Sequence, residues 1–244
     1  FSWHHLWFIL YLFFFSLVFL PLFQYFKKNK NNRLSRTLTR AASSAGGILL
    51  MAVPLLLCRM LLSGNFPQTN GFWGDWFNMA NSALFFILGF VLIDAGEKFW
   101  KNVEKHKWTF LAIGACMFSL LLFLWMGPFS KSPLYDLVND IAVTLNAWCW
   151  ILAIMGLCST YLNKPSKGLK YANEAVYPFY ILHQTVMVIL GYFIRSWSAG
   201  FWIKFPAMIL LTFLITWAIY EFGIRRYRII RPLFGMKNQP KTIR

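Results

Sequence analysis

The sequence predicts an all-α, polytopic transmembrane helical bundle with about seven membrane-spanning helices. Hydrophobic residues make up 58% of the 244 residues and charged residues only 13%, whereas a soluble domain carries about 25% charged residues. The hydrophobic residues are gathered into separate segments of about 20 residues, the length that crosses a hydrocarbon core. Because a bilayer offers no water to backbone groups, these segments are expected to be helices.

Seven apolar segments are separated by short polar stretches. They are 4–26, 43–62, 76–96, 108–127, 140–162, 175–195 and 203–223. No polar stretch is long enough for a separate soluble domain, so a single membrane domain over residues 1–244 is expected. The four cysteines lie in apolar segments without CxxC spacing or a histidine at ligand spacing, so we expect small buried residues and no metal site.

The distribution of Lys and Arg predicts the orientation. Loops 27–42, 97–107 and 163–174 and the tail 224–244 hold 20 of the 24 Lys and Arg residues. Basic loops mark the cytoplasmic side. We therefore expect a protein of the bacterial inner membrane, with the C-terminus in the cytoplasm and the N-terminus of this chain on the extracytoplasmic side. The net charge of +16 is explained by these cytoplasmic loops, which also attract anionic membrane lipids. No nucleic-acid partner is expected.

His183 is the first candidate functional residue, because an ionisable side chain near mid-bilayer is disfavoured by about 2.5–3.5 kcal/mol. It lies within the segment 175–195. Helical spacing places Tyr177 and Tyr180 on one stripe, which either His183 or Gln184 continues. A histidine there can bind a substrate hydroxyl or relay a proton. The alternative is a hydrogen bond to a neighbouring helix that serves packing.

A second polar group lies toward the predicted outer ends of the helices. It comprises His4, His5, Asp75, Asn78, Asn81, Asn139, Asp140 and Asn146. Steps of three from residue 75 to 81, and of seven from 139 to 146, keep each set on one helical face. Amides and carboxylates suit sugar hydroxyls, because they donate or accept in fixed directions. Helix capping explains Asp75, Asn139 and Asp140 equally well, whereas Asn81 and Asn146 lie too deep for capping and predict a polar cavity.

Several functions have no motif behind them. The sequence contains no P-loop, GxGxxG, HExxH or GxSxG run. A polar cavity with a buried histidine also suits a transporter or flippase component for a glycan or small polar solute, although the internal symmetry typical of many transporters is absent. A membrane scaffold would explain the topology but not the buried polar residues. Asp94, Glu174 and Glu221 are expected to cap helices or to pair with nearby Lys or Arg.

Four runs resemble the membrane acyltransferase-3 family. They are HLWFIL at residues 5–10, NAWCW at 146–150, NEAVYPFYILHQTV at 173–186 and RPLFG at 231–235. The run at 173–186 looks like the family's C-terminal signature. Within the family, the chain is most similar to the branch of the glucan-biosynthesis protein C succinyltransferases.

The resemblance implies an integral membrane O-acyltransferase. Such enzymes move an acyl group, here acetyl or succinyl, usually from cytosolic acyl-CoA to a hydroxyl of a cell-envelope or periplasmic glycan, as in glucan biosynthesis. They have about ten spans, so this chain is expected to be the last seven, and inactive alone. The family's principal catalytic histidine would then lie upstream of it. No bound cofactor is implied, because acyl-CoA is the donor substrate.

The resemblance also implies supporting roles for residues of this chain. His183 and His5 become supporting candidates for catalysis. Tyr177, Tyr180, Gln184, Asn146, Asn81 and Asn78 become candidates for contact with the acceptor glycan.

Overall fold

A computed structural model describes residues 7–29, 32–66, 69, 74–129 and 132–236. Within these ranges all regular structure is helical, without a strand, which confirms the predicted all-α class. The α-helices are α1 (Trp7–Val18), α2 (Leu20–Lys28), α3 (Arg33–Ala42), α4 (Ala45–Leu50), α5 (Val53–Leu62), α6 (Trp76–Asp94), α7 (Glu97–Met126), α8 (Pro133–Tyr161), α9 (Lys167–Arg195) and α10 (Phe201–Ala218). A π-helical turn (Ile219–Ile224) and a 3₁₀ turn (Arg231–Phe234) follow.

Six helical segments of the described chain are long and apolar enough to cross a membrane, and one of them joins α4 to α5. The bent pair α1 and α2 raises the number to seven if it forms one span. Most residues in the apolar stretches of these segments are not buried inside the protein, as expected of surfaces that face lipid. The polytopic helical bundle predicted from hydropathy is therefore confirmed.

The first predicted segment is a broken helix. The axes of α1 and α2 differ by 50°, and Pro21 lies in the first turn of α2. Proline has no backbone N–H, so the carbonyl of Leu17 loses its partner four residues on, and the ring adds a steric push. The bend therefore has a local cause in the sequence.

Three helices begin well before their apolar segments. The starts of α7, α8 and α9 precede those segments by 11, 7 and 8 residues. At about 1.5 Å per residue, α7 is about 45 Å long, which exceeds a hydrocarbon core of about 30 Å. Ser132 and Ser166 cap α8 and α9, each accepting a backbone N–H three residues on. Residues 97–107, treated as a loop in the sequence, are thus helical.

The N-terminal unit, residues 1–163, has its core around α7 and α8. Phe99, Phe110, Trp148 and Leu152 are buried there with residues of α4, α5 and α6. Gly156 lets α8 approach the backbone of α7, because a Cβ at that position would overlap the Val103 carbonyl. Close packing of this kind holds helices together in lipid, where hydrophobic burial gives no driving force.

The C-terminal unit, residues 164–244, is built on the α9–α10 hairpin. Its buried core contains Ala175, Tyr220, Ile224 and Met236. After the π-helical turn the chain folds back onto α9, and Gly235 ends the 3₁₀ turn with φ of +68°, a conformation that favours glycine.

The cysteines divide into two pairs. Cys58 and Cys149 are buried as predicted, whereas Cys116 and Cys158 are exposed on the surfaces of α7 and α8. The prediction of buried thiols was wrong for the second pair, since the surface of a membrane helix is as apolar as its core and sequence alone does not distinguish the two.

Candidate functional site

His183 lies half-buried on α9, with its Nδ1 atom 3.0 Å from the carbonyl oxygen of Phe179. A carbonyl oxygen only accepts hydrogen bonds, so Nδ1 carries the hydrogen. In the neutral ring Nε2 is then the accepting nitrogen. The imidazole also lies beside Tyr180, with ring centroids 5.9 Å apart. In this tautomer the Nε2 nitrogen can accept a hydrogen bond from a hydroxyl.

The other members of the predicted α9 stripe have different surroundings. The ring of Tyr177 packs near Gly235 of the folded-back tail, and the side chain is 44% exposed. Gln184 is half-buried. The structure thus brings Tyr180 and His183 together, whereas Tyr177 contacts the tail. Substrate contacts of these residues stay predictions, and His5 lies outside the described residues.

Asp75 and Asn78 form a helix cap. Asp75 is 1% exposed and precedes α6. Its Oδ1 accepts the backbone N–H of Asn78 at 3.4 Å, and its Oδ2 accepts the backbone N–H of Thr69 at 2.9 Å. The side-chain amide of Asn78 also donates to Oδ2, at 3.4 Å. The capping explanation is confirmed for Asp75, and the predicted substrate contact of Asn78 is untested.

Asn139 and Asp140 are not caps, because α8 begins at Pro133 and encloses both. Capping was therefore the wrong explanation for them. The Asp140 Oδ1 atom accepts from Arg59 Nε at 2.8 Å, with the two side chains 18% and 25% exposed. The Asn139 Oδ1 atom accepts from the indole N–H of Trp125 at 3.0 Å. Each pair links α8 to another helix, which gives both residues a structural use.

Asn146 differs from these residues. Its Oδ1 atom is buried and has no hydrogen-bond partner in the described part of the chain. A buried acceptor without a donor costs about 1–3 kcal/mol, so such atoms are rare and each calls for an explanation. Asn81, the other deep amide, is half-buried on α6. Both lie in the N-terminal unit, and Asn146 Oδ1 is the atom there that is best suited to take a ligand's hydroxyl.

A set of ion pairs lies at the predicted inner end of the C-terminal unit. Glu174 binds Arg231, whose side chain is 4% exposed. Glu221 binds Arg225 at 2.8 Å and accepts the hydroxyl of Tyr171 at 2.9 Å. Burial, the largest influence, lowers the pKa of Arg225, but its hydrogen bonds to Glu221 and the nearby negative charge together raise it above its ordinary value. The expected pairing of Glu174 and Glu221 with basic residues is confirmed, and it ties the tail to α9.

Three arginines form an exposed row on α3. Arg33, Arg36 and Arg40 follow one another at steps of three and four, so they share a helical face, and all three are exposed. Ser35 and Ala42 are buried on the opposite side. This helix lies in what the sequence treats as a loop, and its amphipathic pattern becomes evident only once the helix bounds are known.

The family model of the acyltransferase domain, acyltransferase-3, matches residues 1–221. The chain matches no curated protein and no solved structure. The matched range covers most of the 244 residues and includes His183, Asn146 and the Arg59–Asp140 pair. Arg225 and Arg231 lie beyond it. The chain therefore belongs to the acyltransferase-3 family and, with its apolar spans, is a membrane acyltransferase.

Proposed function

We propose that the protein transfers an acyl group, acetyl or succinyl, from cytosolic acyl-CoA to a hydroxyl of a cell-envelope or periplasmic glycan. The observation that carries the acceptor class is the buried, unpartnered Oδ1 of Asn146. A sugar hydroxyl supplies the donor that this oxygen lacks. The resemblance of the motif runs to the glucan-biosynthesis branch supports the same acceptor chemistry.

The donor side of the proposal rests on charge. Acyl-CoA carries phosphates, and the exposed arginine row of α3 offers planar, permanently charged groups that bind phosphates with two hydrogen bonds. The same bias of Lys and Arg favours a multi-pass protein of the bacterial inner membrane with these loops in the cytoplasm. Donor and acceptor would then approach from opposite faces of the membrane.

The proposed reaction is an acyl transfer. The acceptor oxygen attacks the thioester carbonyl carbon while a general base takes the hydroxyl proton. The C–S bond then breaks, and the base returns that proton to the sulfur, so that coenzyme A leaves as the thiol. We propose His183 and His5 as supporting groups, not as the principal base. The Nε2 atom of His183 would orient the hydroxyl, and Tyr180 beside it would limit the ring's motion.

The reaction predicts that membranes containing the full-length protein release free coenzyme A when given acyl-CoA and glycan. Sealed inside-out vesicles should use external acyl-CoA, and right-side-out vesicles should not. His183→Ala should lower the rate about tenfold to a hundredfold, which corresponds to about 1.5–3 kcal/mol for one hydrogen bond to a group that carries charge in the transition state.

His106→Ala is the matched control, because His106 lies in the helical part of α7 before its apolar segment and contacts Phe110. That variant should keep the full rate. Absence of coenzyme A release would favour a transporter and overturn the proposal. An unchanged rate for His183→Ala would remove His183 from the site.

A further inference from the structure

A groove lies at the turn between α9 and α10, with a volume of about 250 Å³. It is lined by Gly191, Arg195, Phe201, Lys204, Phe205 and Met208. All of these residues belong to the C-terminal unit. The turn joins two candidate membrane spans, so it is expected at a membrane surface. Trp197 and Trp202 flank it with exposed rings, as interfacial tryptophans do.

The mouth of the groove is cationic. Lys204 Nζ donates to the carbonyl oxygen of Arg195 at 3.1 Å, which holds the ammonium group at the end of α9. The Arg195 residue itself is exposed. No carboxylate lines the groove, and the two carboxylates in the described part of this unit, Glu174 and Glu221, are paired with arginines elsewhere on it. Among the described residues of this unit, no carboxylate therefore balances these two positive charges.

The wall of the groove is apolar. Phe201 and Phe205 are stacked with centroids 5.4 Å apart, and both are exposed. Gly191 keeps the space open, because a Cβ there would already touch Met208 Cε at 3.4 Å and a longer side chain would fill the groove. A cationic site directly above an apolar slot at an interface matches an amphiphile with an acidic headgroup.

We propose that this groove binds one anionic phospholipid, with its phosphate over Arg195 and Lys204 and an acyl chain along Phe201, Phe205 and Met208. The charge complementarity and the interfacial depth select a lipid over a soluble anion. The proposal does not depend on which side of the membrane the turn faces, and it is independent of the proposed acyl acceptor.

The test is native mass spectrometry of the full-length protein in detergent, titrated with phosphatidylglycerol or with phosphatidylcholine of the same chains. Phosphatidylglycerol should bind more tightly at one site. At roughly 1 kcal/mol for each basic residue at a membrane surface, the double variant R195Q/K204Q should weaken that binding about 30-fold and each single variant about fivefold. The double variant K167Q/K170Q removes equal charge at the other end of α9 and should leave this site unchanged.

A second variant, Gly191→Leu, tests the apolar slot without changing charge. It should weaken phosphatidylglycerol binding at the same site, and it carries the test if the charge variants fail to fold. Equal binding of the two lipids would overturn the proposal. An equal loss of phosphatidylglycerol binding in R195Q/K204Q and in K167Q/K170Q would do the same. So would unchanged binding in Gly191→Leu. Displacement of the lipid by an equal concentration of glycerol phosphate would also overturn it.

Discussion

The two units use polar side chains differently. In the N-terminal unit, polar groups inside spans tie one helix to another, as Arg59 does with Asp140 and as Trp148 does with the Ile48 carbonyl. In the C-terminal unit, the described carboxylates pair with arginines near the tail. A polar residue in a membrane helix therefore points to a substrate only after helix-to-helix ties have been accounted for.

The hydrogen bond of Trp148 shows how a polar side chain can satisfy a backbone group inside a membrane. The break between α4 and α5 directs the N–H of Ala52 to the Leu49 carbonyl, so the Ile48 carbonyl loses its helical donor. The indole N–H of Trp148 replaces that donor at 2.8 Å. In lipid no water is present to do so. By this criterion Asn146 stands apart in its unit, since its Oδ1 has no partner among the described residues.

The largest expected effect comes from breaking the tail pair of the C-terminal unit. Arg231→Ala removes a side chain that is 4% exposed and leaves Glu174, 27% exposed, without this partner. Losing one half of a fully buried pair costs about 3–5 kcal/mol, and the partial exposure of Glu174 places the expected cost near the lower end of that range. We expect a large fall in Tm, measured by intrinsic fluorescence in detergent. Lys101→Ala is the control, because its partner Glu97 and Lys101 itself are 79% and 73% exposed. Equal shifts for the two variants would show that the tail pair carries no special weight.

An intermediate effect is expected in the N-terminal unit. Trp148→Phe keeps an aromatic ring but leaves the Ile48 carbonyl without a donor, a cost of about 1–3 kcal/mol. The measurement is the free energy of unfolding from a denaturant titration. Trp108→Phe, at a position that is 59% exposed, should change it by less than about 0.5 kcal/mol. A Trp148→Phe protein as stable as the parent would contradict the tie.

The smallest effect on stability is expected for Asn146→Leu, which tests whether this polar side chain is functional or structural. Asn146→Leu removes a buried oxygen that has no described partner, so stability should stay within about 1 kcal/mol of the parent or rise. Acyl transfer should nevertheless fall, because the proposed contact with the acceptor hydroxyl is lost. Coenzyme A release and unfolding, measured on the same preparation, check both halves.

Asn139→Leu is the opposite case on the same helix. It removes the acceptor of the Trp125 N–H, so it should lower stability by about 0.5–1.5 kcal/mol and leave the transfer rate intact. If Asn146→Leu also lowered stability and left the transfer rate intact, the amide at position 146 would have a structural role.

The fold class and the family followed from the sequence, because hydropathy, basic-loop bias and short motif runs are local properties of the chain. Segment 76–96 nearly coincides with α6, for example. The position of His183 within a span was equally readable. The early starts of α7, α8 and α9 could not be predicted from hydropathy, because polar helical turns outside lipid carry no apolar signal.

The partners of the polar residues were decided by tertiary structure. Spacing placed Asp140 near a helix start, but α8 begins seven residues earlier and Asp140 binds Arg59, 81 residues away in sequence. The pairing of Glu174 with Arg231 spans 57 residues and depends on the tail folding back. Sequence periodicity determines which face of a helix a side chain occupies, whereas the distance between helices determines whether that side chain finds a partner.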